Sequence, residues 1–387
     1  MASAKVSISP FSIDVDDAVL EDLRDRVART RWPDPAAGAA WDSGTDDAYL
    51  KDLLRTWGTD FDWRARETDL NRLAHFRADV DGTVVHFVHE RGRGPSPLPL
   101  ILTHGWPSTF AEYLELIPLL TDPEAHGGDR ADAFDVVVPS LPGFGFSPLP
   151  SRPGPIGDEV AGLWRRLMAD GLGYTRFGAQ GTDIGAGVTA RLGLRHPGSV
   201  AGIHLSATGL LPPPQPWSPA EQEYLAGRDR WIAEEGAYAH QHATKPQTLG
   251  FGLTDSPAGL AGWIVEKLRS WSDCGGDVES RFSRDWILST LTIYWATSTI
   301  ASSMRHYQAN QRRGVPLTVD DPVRVPAGYA SFANEHNWFG APPREMFERY
   351  FANLTRWTDM PSGGHFPAME EPEALAVQLR EFFRPLR

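Results

Sequence analysis

Cysteine is almost absent from the sequence: Cys274 is the only one among 387 residues. A single cysteine cannot form an intramolecular disulfide, and nothing in the sequence points to an oxidising compartment. An excess of basic charge is absent as well, because 37 Lys and Arg stand against 50 Asp and Glu and give a net charge of −13. Phosphate binding needs the opposite sign, so we do not expect a nucleic-acid partner.

Long apolar runs are also lacking. The longest uncharged stretch worth testing as a membrane span, from Trp286 to Met304, has sufficient length but is rich in Ser and Thr, which favours a buried helix. The first residues, from Met1 to Ser7, contain no apolar segment of the kind found in secretory signals. We therefore expect a cytoplasmic protein without a membrane anchor.

Short apolar runs alternate with amphipathic segments from residue 98 onward, in a composition of 41% hydrophobic and 22% charged residues that is typical of globular proteins. The predicted strands are Leu98–Leu102, Phe134–Val138, Arg176–Ala179 and Val200–Leu205, and the predicted helices between them are Phe110–Leu120, Glu159–Leu172 and Ile184–His196. This alternation predicts an α/β protein with a mostly parallel sheet and helices on both faces.

The alternation stops after the fourth predicted parallel strand. Residues 210–318 show helical patterns and no strand, and strands return only at Val323–Pro326 and Arg356–Thr358 before a closing helix, Pro372–Phe383. We predict a helical lid at 210–318 inserted into a core formed by 96–209 and 319–387. The N-terminal region, 1–95, contains two predicted helices (Asp16–Arg29 and Asp46–Trp57) and a hairpin turning at Asp81-Gly82.

The sequence Gly181-Thr182-Asp183-Ile184-Gly185 stands directly between a predicted strand and a predicted helix. A sharp strand-to-helix turn with flanking glycines is the geometry that exposes a nucleophile at the top of a sheet, and Asp183 occupies the central position. The alternative interpretation is an ordinary aspartate that caps the helix.

Two further motifs follow predicted strands at the positions expected for the oxyanion donor and the base that such a nucleophile requires. His104-Gly105-Trp106-Pro107 comes after the first parallel strand, where a backbone N–H can donate to a developing oxyanion. Gly363-Gly364-His365-Phe366 comes after the last strand, where His365 is placed to act as a base. A lone histidine is more often structural, so the position after the last strand is what favours this role.

On these motifs the chain resembles the microsomal-type epoxide hydrolases of the α/β-hydrolase superfamily, in a form without the membrane anchor. The resemblance covers nearly the whole chain, and the other segments that carry it are Pro10–Ile13, Thr30–Pro33, Asp62–Arg64, Pro139–Ser147, Thr244–Thr248 and Asp255–Leu260. It implies an α/β-hydrolase fold whose region 1–95 is the family's N-terminal extension.

The resemblance also implies a mechanism. Asp183 would attack the epoxide and form an ester, and His365 would activate the water that hydrolyses it. Glu335 would orient His365, with Asp320, Asp321 and Asp359 as weaker candidates, and the backbone N–H groups of Trp106 and Ile184 would hold the oxyanion. Neither a metal ion nor a cofactor is implied.

Epoxide opening produces an alkoxide, which requires an acid. Composition alone does not choose among the lid tyrosines, but the resemblance selects Tyr238 and Tyr307 and leaves Tyr224 and Tyr294 to packing. Trp106, Phe144, Trp338 and Phe366 lie in the motif loops and predict a large aromatic-lined pocket for a hydrophobic, bulky or aryl epoxide. Water is the second substrate, and the sequence leaves open whether the chain forms a homodimer.

Two other functions compete with this interpretation. A haloalkane dehalogenase shares the fold and the Asp nucleophile, but it places a tryptophan after the nucleophile, where this chain has Ile184. A non-catalytic α/β-hydrolase serving as a binding module would be expected to lack a member of the triad or a lid tyrosine, and none is missing. The sequence does not decide between a role in detoxification and one in natural-product biosynthesis.

Overall fold

The computed structural model describes residues 6–35, 37–150, 156–335 and 340–387. Within these residues the chain forms nine strands: β1 (Ser7–Pro10), β2 (His75–Val80), β3 (Thr83–Glu90), β4 (Leu98–Thr103), β5 (Phe134–Pro139), β6 (Phe177–Thr182), β7 (Val200–Ser206), β8 (Ala327–Phe332) and β9 (Leu354–Met360). They form one sheet in the order β1-β2-β3-β5-β4-β6-β7-β8-β9. The pairs β1-β2, β2-β3 and β3-β5 are antiparallel, and the remaining pairs, from β5-β4 to β8-β9, are parallel.

The helices begin and end as follows: α1 (Asp17–Ala28), α2 (Asp47–Thr59), α3 (Trp63–Leu70), α4 (Leu116–Thr121), α5 (Gly157–Arg166), α6 (Ile184–Arg195), α7 (Pro219–Glu234), α8 (Ala237–Thr244), α9 (Pro246–Asp255), α10 (Pro257–Trp271), α11 (Arg284–Thr297), α12 (Ile300–Arg313), α13 (Arg344–Glu348), α14 (Pro367–Glu370) and α15 (Pro372–Phe383). A π-helical turn, Leu167–Gly171, extends α5, and a 3₁₀ turn, Phe110–Tyr113, precedes α4.

Helices cover both faces of the sheet because successive side chains of a buried strand point in opposite directions. On β4, Leu100 and Leu102 belong to the core shared with Leu379 of α15. Ile101, between them, belongs to the other core, together with Trp164 of α5. The predicted α/β architecture with a mostly parallel sheet is confirmed.

Helices α7 to α12 lie between β7 and β8, where the predicted lid stands, and no strand occurs there among the described residues. The stretch tested as a membrane span forms α11 and the start of α12, and most of the side chains of α11 are buried in the protein. Across the described ranges, no helix is both long and apolar enough to cross a bilayer.

Two predicted elements differ from the structure. The strand predicted at Val323–Pro326 is wrong: Val323 makes only an isolated bridge to Phe351, and β8 begins at Ala327. Proline has no N–H for the ladder, so pairing starts after Pro326. The helix predicted over Phe110–Leu120 is broken into the 3₁₀ turn and α4, because Pro118 fits the first turn of a helix but not its interior.

Candidate active site

Asp183 stands at a strained turn between β6 and α6. Its backbone φ is 53°, in the left-handed region that side chains other than glycine rarely adopt. Glycines make the turn possible, because a Cβ on Gly185 would lie 1.9 Å from the Thr103 carbonyl oxygen and one on Gly181 would lie 2.2 Å from the Gly185 carbonyl oxygen. The Asp183 side chain does not cap α6, so the interpretation as an ordinary capping aspartate is wrong.

The carboxylate of Asp183 is held by the motif after β4. The Trp106 N–H donates to Asp183 Oδ1 at 2.8 Å, which leaves Oδ2 available for other contacts. A Cβ on Gly105 would lie 2.2 Å from the same Oδ1, so this close approach requires a glycine. Ile184 is the first residue of α6, where the N–H groups lack partners within the helix.

His104 keeps this loop in place as a neutral side chain. It is fully buried, and burial lowers its pKa to about 4. Its Nε2 accepts the N–H of Leu141 at 3.2 Å, so the loop after β4 is tied to the loop after β5.

His365 lies beside Asp183. Its Nε2 is 3.5 Å from Asp183 Oδ2, and its backbone N–H donates to the Trp271 carbonyl oxygen at 2.9 Å. A Cβ on Gly364 would lie 2.7 Å from that carbonyl oxygen, which explains the glycine before His365. The side chain of His365 is 4% exposed and that of Asp183 is 20% exposed, so the carboxylate is more accessible than the imidazole.

Glu335 follows β8 and is buried, whereas the alternatives Asp320, Asp321 and Asp359 are exposed. Its carboxylate accepts a hydrogen bond from the Tyr329 hydroxyl at 3.1 Å. Burial raises the pKa of Glu335, as does the charge of Asp183, while the Tyr329 hydrogen bond opposes the rise.

A backbone hydrogen bond also joins the segment of Glu335 to that of His365: the Asn334 N–H donates to the Gly363 carbonyl oxygen at 3.2 Å. The two loops that carry the predicted acid and base are therefore neighbours.

Tyr238 of α8 and Tyr307 of α12 meet above the Trp106 ring. The ring of Trp106 stacks on that of Tyr238 at 5.5 Å, and the two tyrosine rings are 6.1 Å apart. Burial, together with the charge of Asp183, raises the pKa of both hydroxyls. The structure thus brings both phenols to the Trp106 ring from two different helices.

The other two lid tyrosines have different surroundings. The Tyr294 hydroxyl donates to the Ser108 carbonyl oxygen at 3.1 Å, which fits a packing role. Tyr224 is buried in α7, and burial and the charge of Glu335 raise its pKa.

The residues predicted to line the pocket differ in their surroundings. Phe366 packs against His365, with ring centroids 5.1 Å apart. Phe144 is buried and packs edge-on against the rings of His104 and His306, at 5.3 Å from each. Trp338 lies outside the described residues.

A cleft of about 680 Å³ has Tyr307 and Ile184 among its lining residues. Three aliphatic side chains of its lining are exposed to solvent, namely Leu211 (56%), Ile232 (52%) and Val315 (51%). Exposed apolar side chains gathered around one concavity are typical of a site that takes an apolar ligand.

Sequence reasoning missed several residues around the tyrosines. His242 packs edge-on against Trp106 and Tyr307, and Trp271 lies 5.0 Å from the ring of His365. Lys267 places its ammonium over the ring of Tyr238, 5.0 Å from the centroid. The signal for Lys267 was its spacing in α10, three residues after Ile264, a position where an apolar side chain is expected.

Metal binding receives no support from the side chains. Within the described ranges, no group of three or more His, Cys, Asp or Glu residues could hold a metal ion.

Comparison with known proteins gives concordant matches. Residues 8–113 match the family described as "Epoxide hydrolase N terminus", and residues 99–253 match the "alpha/beta hydrolase fold" family. A protein of Stigmatella aurantiaca with a provisional epoxide hydrolase name is 43% identical over 98% of this chain and 86% of its own length. Epoxide hydrolase 1 of Oryctolagus cuniculus is 34% identical over 97% of this chain and 88% of its own length.

Solved structures agree with these matches. The juvenile hormone epoxide hydrolase of Bombyx mori superposes with a TM-score of 0.88 at 30% identity, covering 99% of this chain and 95% of that one. The epoxide hydrolase of Aspergillus niger superposes with a TM-score of 0.86 at 28% identity, covering 100% of this chain and 98% of that one.

Proposed function

The chain belongs to the epoxide hydrolases with an α/β-hydrolase fold, and we propose that it converts a bulky apolar epoxide to a vicinal diol through an ester of Asp183. The observation that carries the mechanism is the arrangement of side chains around Asp183. One Asp183 oxygen accepts the Trp106 N–H at 2.8 Å, the other lies 3.5 Å from His365 Nε2, and two phenols approach from the lid.

In the first step, Asp183 Oδ2 attacks one epoxide carbon. A bond forms between this oxygen and the carbon, the ring C–O bond breaks, and its electron pair stays on the epoxide oxygen. Tyr238 and Tyr307 donate hydrogen bonds to that oxygen, and one phenol transfers its proton to it. Because the Trp106 N–H holds Oδ1, the carboxylate keeps its orientation while the ester forms.

In the second step, His365 removes a proton from water, whose oxygen attacks the carboxyl carbon of the Asp183 ester. The N–H groups of Trp106 and Ile184 stabilise the oxyanion. Collapse breaks the bond between the carboxyl carbon and the product oxygen, and the imidazolium protonates that oxygen. The second proton of the water returns to the phenolate, so the diol leaves and each group regains its starting state.

Glu335 supports the second step through His365. A negative charge on the neighbouring loop stabilises the imidazolium that forms when water is deprotonated. Burial opposes the ionisation of Glu335, and the hydrogen bond from the Tyr329 hydroxyl favours it.

The cleft favours a bulky apolar substrate. It reaches Tyr307 and Ile184, and the exposed side chains of Leu211, Ile232 and Val315 give it an apolar lining. We propose that an apolar substituent of the epoxide occupies this cleft while the ring lies at Asp183. A role in detoxification and a role in biosynthesis are both consistent with such a substrate.

A panel of racemic aryl and alkyl epoxides of increasing size, with chiral analysis of the diols, tests the proposal. We expect kcat/KM to rise with apolar size, and acid quenching during turnover to give an ester on the peptide that contains Asp183. Diol formation without any ester would replace this mechanism by direct attack of water. A preference for the smallest epoxides would overturn the assignment of the substrate.

Haloalkane dehalogenation is less well supported. The residue after the nucleophile is Ile184 rather than a tryptophan, and the lid presents phenols suited to an alkoxide. Measuring halide release from haloalkanes beside epoxide opening distinguishes the two activities. A binding module without activity is disfavoured because Asp183 and His365 lie 3.5 Å apart and two lid phenols meet at the Trp106 ring.

A further inference from the structure

Lys267 of α10 is a cation in an apolar environment. The residue is 6% exposed, although lysine is rarely buried unless its charge is compensated. Its neighbours along the helix face are apolar, with Ile264 and Trp271 both buried. An ammonium in such a position calls for a specific partner.

The partners of Lys267 are one carboxylate and two aromatic rings. Its Nζ contacts an oxygen of Glu266, whose side chain is 21% exposed. The ammonium also lies over the ring of Tyr238, 5.0 Å from the centroid, and 6.0 Å from that of Trp271. Cation–π attraction acts within about 6 Å of a ring centroid, and it strengthens when the pair is removed from water.

Other charged and titratable groups surround this pair. Glu235, at the end of α7, interacts electrostatically with Lys267, as does His242 of α8. The charges of Asp183 and Glu266 act on Tyr238 as well, and both disfavour loss of the phenol proton. Lys267 is the cation that lies against the ring.

We propose that Lys267 is a positioning residue that strengthens Tyr238 as the hydrogen-bond donor and acid in epoxide opening. A positive charge over the ring stabilises negative charge on the phenol more than it stabilises the neutral phenol. It therefore assists the step in which Tyr238 transfers its proton to the epoxide oxygen and negative charge develops on the phenol. This inference rests on the proposed role of Tyr238.

Lys267→Met tests the proposal because it keeps an unbranched side chain and removes the charge. We expect the rate of ester formation to fall about 10-fold, or about 1.4 kcal/mol of barrier, with ester hydrolysis and KM little changed. Lys267→Arg should recover most of the rate. Arg269→Met is the matched control, since Arg269 lies on the same helix over the ring of Trp41 at 4.6 Å, and it should leave the rate unchanged.

Two readouts separate an electronic role from packing. Epoxides with electron-withdrawing substituents form less basic alkoxides, so they should lose less rate on Lys267→Met. In the Tyr238→Phe background, Lys267→Met should change the rate less than twofold, because the group through which it acts is gone.

The proposal is overturned if Lys267→Met opens epoxides within twofold of wild type, or if its 10-fold loss persists in the Tyr238→Phe background. If Lys267→Met fails to fold, Lys267→Gln, which is polar and uncharged, is compared with wild type and in the Tyr238→Phe background in its place. Full ring-opening activity in Tyr238→Phe alone would instead overturn the proposed role of Tyr238, and this inference with it.

Discussion

Replacing His365 by glutamine should separate the two steps of the proposed reaction. His365 Nε2 lies 3.5 Å from Asp183 Oδ2, near enough to deprotonate a water that attacks the ester carbon. Epoxide opening needs the carboxylate and the phenols but no base. The variant should therefore form the ester and then accumulate it, because glutamine cannot accept the water proton.

The expected lifetime of the ester follows from the loss of the base. A positioned general base contributes about 10²–10⁴-fold. For a wild-type turnover of about 10 s⁻¹, the median among enzymes, the variant would hydrolyse the ester at about 0.1 to 0.001 s⁻¹. The ester would then last from roughly ten seconds to many minutes, long enough for manual quenching and intact-mass measurement.

The assay mixes enzyme and epoxide, quenches with acid and measures the protein mass over time. His126→Gln is the control, since His126 is exposed and lies at the end of a 3₁₀ turn outside the motif loops. An unmodified mass for His365→Gln, in a variant shown by calorimetry to bind the substrate, would refute the role of His365 as the hydrolytic base. So would diol formation at the wild-type rate.

The remaining predictions concern the proposed nucleophile Asp183, the loops around it and the proposed acids. Asp183→Asn should abolish ester formation, and in wild type repeated turnover in ¹⁸O water should label the Asp183 carboxylate; an unlabelled carboxylate would exclude the ester. Gly105→Ala places a Cβ 2.2 Å from Asp183 Oδ1, so stopped-flow measurement should show ester formation at least ~100-fold slower. Tyr238→Phe or Tyr307→Phe should each slow it about 10²–10⁴-fold with little change in Tm, and the double variant should lose ring opening while an ester already formed still hydrolyses. Burial lowers the folded pKa of His104 to about 4 from 6.5, so the unfolded chain binds its proton more readily. The stability contributed by this group is present above about pH 6.5 and falls towards pH 4, by about 2 kcal/mol at pH 5. Denaturant titration of His104→Gln should show an acid loss of stability that is smaller by this amount, while buried histidines such as His204 and His306 keep theirs.

Much of the fold was predictable because its signals are local. The hairpin turn at Asp81-Gly82 has φ of 55° and 76°, which is the turn that this dipeptide favours between strands. The closing helix begins at Pro372 and ends at Phe383, as predicted, because proline starts it and its apolar positions repeat at helical spacing. Each of these elements has its turn or start signal within its own sequence.

Elements whose stability comes from distant partners were missed. Strand β1 has only four residues, largely exposed, and it exists because it pairs with β2 far along the chain. Helix α3 has no apolar periodicity, although its Glu67 accepts the Val15 N–H at 2.7 Å and is buried by that contact. A local pattern contains no information on either partner.

The residues of the candidate site also divide into those predictable from local sequence signals and those that depend on distant contacts. Asp183, Trp106 and His365 follow strands of one parallel sheet, and the carboxyl ends of such strands meet at one edge, so their order in the sequence predicts their proximity. The lid tyrosines come from helices without that constraint, and the residue patterns alone left four candidates. The position of Lys267 over Tyr238 depends on how α10 packs against α8, which no motif encodes.

The backbone at Asp183 shows why its glycines are such strong signals. A residue other than glycine at φ 53° costs about 1–3 kcal/mol, and the fold keeps it there because the Asp183 N–H donates to the Ala207 carbonyl oxygen at 2.9 Å. The strain directs the carboxylate to the Trp106 N–H, and the missing side chains of Gly105 and Gly185 leave it the necessary space. Asparagine has nearly the same shape as aspartate and its Oδ1 can still accept the Trp106 N–H, so Asp183→Asn should keep the turn and its stability while losing the reaction. Loss of activity with an unchanged Tm is therefore the result that separates a nucleophile from a structural aspartate at this turn.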